Sequence, residues 1–110
     1  MITSEITRIE CERTLIRAVH TGTIRESEAT DRRATLERAV AHWTVFSLDA
    51  AIADRACRRF PVEPVRSLDA IHLATAVVAR ALVPGLRLLS LDERIRSNAG
   101  ALGFEALPRS

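Results

Sequence analysis

The sequence has no lysine, and only two cysteines in 110 residues. Cys11 and Cys57 have neither the number nor the spacing of a metal-binding cluster. A zinc site needs more Cys and His partners than this chain groups together. The two thiols read as buried and free, in a reducing compartment. No apolar run is long enough to span a bilayer. The longest candidate, AIHLATAVVARALVPGL, is interrupted by His72 and Arg80. The start, MITSEITRIECERT, carries acids in its first dozen residues and no signal-peptide core. A cytoplasmic protein is therefore expected. There is no internal repeat and no low-complexity segment, and one domain over 1–110 is the expectation for this length. The net charge of +2 is too small to argue nucleic-acid binding by itself. With lysine absent, all 16 basic residues are arginine. Their planar fork suits bidentate contact with phosphate, although a solvated helix face is the ordinary place for most of them.

What is present is an apolar share of 47%, ample for a core, beside an ordinary 27% of charged residues. ITRIECERTLIRAVH has apolar residues at helical spacing, with Ser4 as N-cap and Gly22 beyond its end. ESEATDRRATLERAVAHW reads as a polar second helix with Leu36, Val40 and Trp43 on one face. TVFSL is short, β-branched and aromatic, hence a strand. DAAIADRACRRF is a third helix, capped by Asp49 and stopped before Pro61. SLDAIHLATAVVARAL is a fourth, with Ser67 as cap, Asp69 in the first turn and Pro84–Gly85 ending it. LRLLSL has the nearly continuous apolar character of a buried parallel strand. DERIRSNAGAL is a short helix capped at its end by Gly103, and FEAL a last strand. Strands alternating with helices argue an α/β domain with a parallel sheet. Ligands of such sheets sit beyond the carboxyl ends of the strands.

Three acids stand out by position. Glu10 lies in the first helix beside Ile9, Asp69 opens the most apolar helix, and Asp92 directly follows the strand LRLLSL. Each has an ordinary role open to it. Glu10 can pair with Arg13 or Thr14 on the helix surface, Arg13 being suitably placed three positions on. Asp69 can be a first-turn acid favoured by the helix dipole. Asp92 can be the N-cap of the next helix. Together they suggest more, because carboxylates gathered at one end of a sheet repel each other unless a cation is present. Hard cations such as Mg²⁺ and Mn²⁺ take oxygen ligands and can serve phosphodiester cleavage.

SLDAIHLATA followed by LLSLDERIRSNAGALGFEAL resembles the C-terminal half of a PIN domain, and of VapC-type toxins of bacterial toxin–antitoxin pairs in particular. TSEITRIECERTLIRA resembles that family's second segment, where a helix carries a Glu followed by Arg. The resemblance covers Met1 to Pro108. It implies a three-layer α/β fold with a central parallel sheet, and a Mg²⁺- or Mn²⁺-dependent endoribonuclease. It implies Glu10, Asp69 and Asp92 as metal-holding, catalytic acids. Ser90 would stand beside the last acid, holding a carboxylate or a water, and Arg13 would follow Glu10. His72, one turn from Asp69, could stand behind the metal ligands, although a core-facing histidine with one hydrogen bond is the commoner case. RNA as substrate, a cognate antitoxin as partner, a homodimer and no membrane contact are the further implications.

One departure qualifies the resemblance. The family opens with an apolar strand ending in Asp, and MITSEIT matches its second strand instead. The chain is thus expected to lack the first, central strand and its metal-binding Asp. Neighbouring strands lie about 4.8 Å apart, so the gap would be roughly 9.6 Å wide, with two exposed backbone edges. Either Met1 is an internal start codon of a longer protein, which the abrupt opening favours, or the gene is shortened. In the second case the chain would be an inactive remnant that binds an antitoxin or another copy of itself. The apolar residues of ITRIECERTLIRAV and RATLERAVAHW would then form the surface, if the core does not bury them.

Overall fold

A computed structural model describes residues 1–109. Two compact units divide it, Met1–Ser47 and Leu48–Ser110. The first holds β1 (Ile2–Ser4), α1 (Glu5–His20), α2 (Glu26–Val40) and β2 (Thr44–Phe46). The second holds α3 (Ala50–Ala56), α4 (Ser67–Leu82), β3 (Leu88–Leu89), α5 (Glu93–Ala101) and β4 (Ala106–Leu107). The architecture is α/β with parallel strands.

In the first unit, local chemistry sets where α1 starts and stops. Ser4 is extended, and its hydroxyl accepts from the Ile6 amide at 3.2 Å. Past the other end, Gly22 takes φ +76°, a left-handed conformation that a side chain resists. The amides of Gly22 and Thr23 then bond back to the carbonyls of Val19 and Ala18. This paired closure satisfies the last free carbonyls of a helix. β1 pairs in parallel with β2, Ile2 opposite Thr44 and Ser4 opposite Phe46. Helices α1 and α2 form the crossover between them, tied by Arg8–Glu37 at 2.8 Å and Arg33–Glu12 at 2.9 Å. Trp43 falls beyond the end of α2 rather than on its face. Burial here is thin: α1 has no buried residue and α2 only Ala29. Ile9 and Ile16, seven positions apart and so on one face of α1, are 54% and 45% exposed.

The second unit is built around α4. Ala70, Leu73, Ala74, Thr75 and Ala79 are buried at the 3- and 4-residue spacing of a core-facing stripe. Ile52 of α3, Ile95 and Ala99 of α5, Phe60 and Phe104 complete the core. β3 and β4 pair in parallel, Leu88 opposite Ala106 and Leu89 opposite Leu107, with α5 as the crossover. Gly103, at φ +90°, follows the Leu102 C-cap of α5.

Four expectations need correction. The N-cap of α4 is Arg66, which gives no side-chain bond, and Ser67 is already helical. α3 ends at Ala56, because the chain from Arg58 turns into a loop ahead of Pro61. The LRLLSL strand shrinks to two residues, with Leu89 71% and Leu91 82% exposed, so it is no fully buried strand. Cys57 is exposed and Cys11 half-buried, so neither thiol belongs to the core. Among the described residues the strands form two separate two-stranded sheets, one in each unit.

Candidate active site

Glu10 lies in the first unit, half-buried on α1, with Arg13 exposed one turn further on. Its backbone carbonyl accepts from the Thr14 hydroxyl at 2.8 Å. Asp69, His72, Ser90 and Asp92 all belong to the second unit.

Asp69 sits half-buried in the first turn of α4, where unpaired backbone amides favour a negative charge. Its carboxylate has no hydrogen-bond or ion-pair partner among the described residues. His72 is half-buried one turn along the same helix.

Asp92 caps α5. Its Oδ1 accepts from the amides of Arg94 at 2.9 Å and Ile95 at 3.2 Å. Both bonds end on Oδ1, which leaves Oδ2 open to a ligand. The Asp92 amide in turn donates to Ser90 Oγ at 3.1 Å. Ser90 thus fixes the turn that carries the acid out of β3, and its own amide continues the sheet by donating to the Leu107 carbonyl at 2.9 Å.

Two arginines and an asparagine support this end of the unit, and none of their roles was legible beforehand. Arg96 clasps the strand ends, donating to the carbonyls of Ser90 at 2.9 Å and Pro108 at 2.7 Å. Arg94 reaches the Pro64 carbonyl at 3.3 Å. Asn98, fully buried, accepts from the Val62 amide and donates to the Val62 carbonyl, both at 2.8 Å. An asparagine three positions after Ile95 and beside Ala99, on the apolar side of a short helix, was the available signal.

Val62 lies against Asn98, and Pro64 lies against Arg94, one turn nearer the start of α5, so the loop that leads into α4 is tied to α5 at two places. α4 carries Asp69 in its first turn, and α5 is capped by Asp92.

Among the described residues no group of three or more His, Cys, Asp or Glu is gathered where it could hold a metal ion. The donor chemistry present nonetheless fits a hard cation. Mg²⁺ is commonly held by one or two carboxylates with waters and substrate phosphates completing its shell. The unpartnered Asp69 carboxylate and Asp92 Oδ2 are donors of that kind.

The sequence matches the family described as the PIN domain over residues 1–101, a span that runs through both units. Among curated proteins it is similar to ribonuclease VapC35 of Mycobacterium tuberculosis, in two strains. The identity is 36% over 103 residues, which is 94% of this chain and 68% of the relative. Ribonuclease VapC46 of the same species is 41% identical over 73 residues, which is 66% of this chain and 54% of the relative. No solved structure matches the chain.

Proposed function

Because this chain belongs to the PIN domain family, we propose that it is a metal-dependent endoribonuclease of a toxin–antitoxin pair, hydrolysing RNA phosphodiester bonds in the cytoplasm. The observation that supports this most is the pair Asp69 and Asp92. Asp69 stands in the first turn of α4 and Asp92 at the N-cap of α5, and the Asp69 carboxylate has no partner among the described residues. The two relatives bear the name ribonuclease.

In this reading Asp69 and Asp92 hold Mg²⁺ or Mn²⁺, and Glu10 of α1 is the third acid. A cation bound there supplies a Lewis acid for the phosphodiester and an acidified water. The chain's own groups do the positioning. Ser90 Oγ keeps the Asp92 turn in place by accepting its amide. The two helix starts offset the mutual repulsion of the carboxylates. Arg66, exposed directly before α4, is placed to take a backbone phosphate through its fork. His72 and Arg13 stand behind the acids Asp69 and Glu10 on the same helices.

The test is cleavage of a defined single-stranded RNA by purified protein with Mn²⁺, beside an Asp69→Asn variant and an EDTA control. Cleavage that needs the metal and is lost in the variant is the expected result. Cleavage that is equal in wild type and variant overturns the reading.

A second reading has its own support. With no buried residue on α1 and with Ile9 and Ile16 exposed on one face, the first unit offers an apolar stripe. An inactive module that binds an antitoxin, or pairs as a homodimer, would use such a stripe. Sedimentation of the wild type and of an Ile9→Glu, Ile16→Glu double variant tests it. A dimer that the double variant abolishes, in protein that cuts no RNA, favours this reading; a monomeric nuclease excludes it.

A further inference from the structure

We propose that Asn98 is a positioning residue: by pinning the loop at 57–66 along α5, it fixes the first turn of α4, which carries Asp69, relative to α5, which Asp92 caps. The proposal rests on the metal-site reading above.

Asn98 has no solvent exposure, and every polar atom of its side chain is used. Oδ1 accepts the Val62 amide; Nδ2 donates to the Val62 carbonyl at 2.8 Å and to the Arg94 carbonyl at 3.1 Å. The first two bonds imitate one rung of a sheet between side chain and backbone. The third ties that rung to the first turns of α5. Val62 is 36 positions away in sequence, so the bond does nothing for the local stability of the helix. What it fixes is a long-range relation.

The loop it holds is stiff in itself, so the constraint is passed on. The Glu63 carboxylate accepts the amides of Phe60 at 2.8 Å and Val65 at 2.7 Å, closing the turn from within. Phe60 is buried, with the Arg55 guanidinium over its ring at 4.2 Å. A rigid loop pinned at Val62 and again at Pro64 has little freedom where it enters α4 at Arg66. The Ala70 amide bonds to the Arg66 carbonyl at 2.8 Å, so the first turn of α4, with Asp69 in it, follows the loop. Buried amides spent on such a bond cost stability if either half is lost, which is why an apolar residue would be the simpler filler. A second role for the asparagine accounts for its place.

The experiment compares full-length wild type, Asn98→Ala, Asp69→Asn and a control, Ile52→Val, which trims the core on α3. Two quantities are read below the melting temperature of each: the Kd for Mn²⁺ by calorimetry, and the exchange rate of the Ala70 amide. Asn98→Ala is expected to weaken Mn²⁺ binding about tenfold, in the range for groups standing behind metal ligands. It is also expected to speed Ala70 exchange about tenfold. Ile52→Val should lower the melting temperature and leave the Kd alone. If Asn98→Ala changes neither quantity beyond what Ile52→Val does, the proposal is overturned. If Asn98→Ala does not fold, Arg94→Ala carries the test, with about a threefold change expected for one exposed hydrogen bond; no change overturns it. Mn²⁺ binding unaffected by Asp69→Asn removes the metal-site reading instead, and the Ala70 exchange rate still decides whether Asn98 positions α4.

Discussion

Asp92 combines two duties that a pair of substitutions can separate. As N-cap it accepts two amides of α5, at 2.9 and 3.2 Å. As an acid at a helix start it is proposed to hold a cation. Asn and Asp are equally good N-caps, so Asp92→Asn should keep both bonds. It gives up only the charge beside the helix start, about 0.5 kcal/mol for an exposed group. Asp92→Ala gives up the cap as well, about 1 kcal/mol more. At about 4 °C per kcal/mol for a chain of this size, the melting temperature should fall about 2 °C for Asn and about 6 °C for Ala. Mn²⁺ affinity should follow the opposite logic: both variants lose the carboxylate, and both should weaken by about 10- to 100-fold or more. Thermal denaturation without metal and Mn²⁺ calorimetry on the same samples give the two readings. Equal melting losses in Asn and Ala would refute the capping argument. An Asn variant that binds Mn²⁺ like wild type would refute the ligand assignment.

Further expectations follow from the same geometry. Asp69→Asn breaks no hydrogen bond, so its unfolding free energy should stay within about 1 kcal/mol of wild type while RNA cleavage disappears; urea unfolding and the cleavage assay check the two halves. Ile52→Ala, at a site without solvent exposure, should cost about 3 kcal/mol in urea unfolding by leaving a cavity. Glu28 is held below the ordinary value of 4.5, chiefly by the side-chain hydrogen bond from Arg25 and then by the bond from the Arg25 amide. A carboxyl with a lowered folded value contributes stability that is present above the unfolded value and lost as pH falls through the folded one. An NMR titration of Glu28 should therefore show a midpoint below 4.5, which Arg25→Ala returns toward it.

Reading the sequence succeeded where the determining chemistry is local. Ser4, Asp49 and Asp92 cap the helices they precede, because an oxygen two or three positions from an amide needs no distant partner. The same logic misplaced the cap of α4. Ser67 has the right oxygen, but Arg66 holds the extended conformation and Ser67 is already in the helix. The apolar run at LRLLSL was legible as a strand, yet only Leu88 and Leu89 find ladder partners. Strand length is settled by what lies alongside, and the apolar character of the run cannot show that. Of the site, the three acids stood out by position as candidates, whereas Ser90 came only through the family resemblance, and its hydroxyl accepts the Asp92 amide rather than holding a carboxylate. The clasp of Arg96 and the rung made by Asn98 could not be read at all, since their partners are carbonyls and amides that only folding brings near.

The uneven distribution of buried residues has a consequence for the life of the protein in a cell. In the first unit Ser4, Ile24 and Ala29 are the buried residues, and its helices are joined by ion pairs between half-exposed or exposed side chains. Such pairs contribute little and are screened by salt. A proteolytic enzyme that samples transient openings should therefore cut first between α1 and α2, near the exposed Thr21–Thr23 turn, and sooner as ionic strength rises. The fragment lost first would be the one carrying Glu10, so turnover would begin by taking an acid from the proposed site while the core around α4 is still intact.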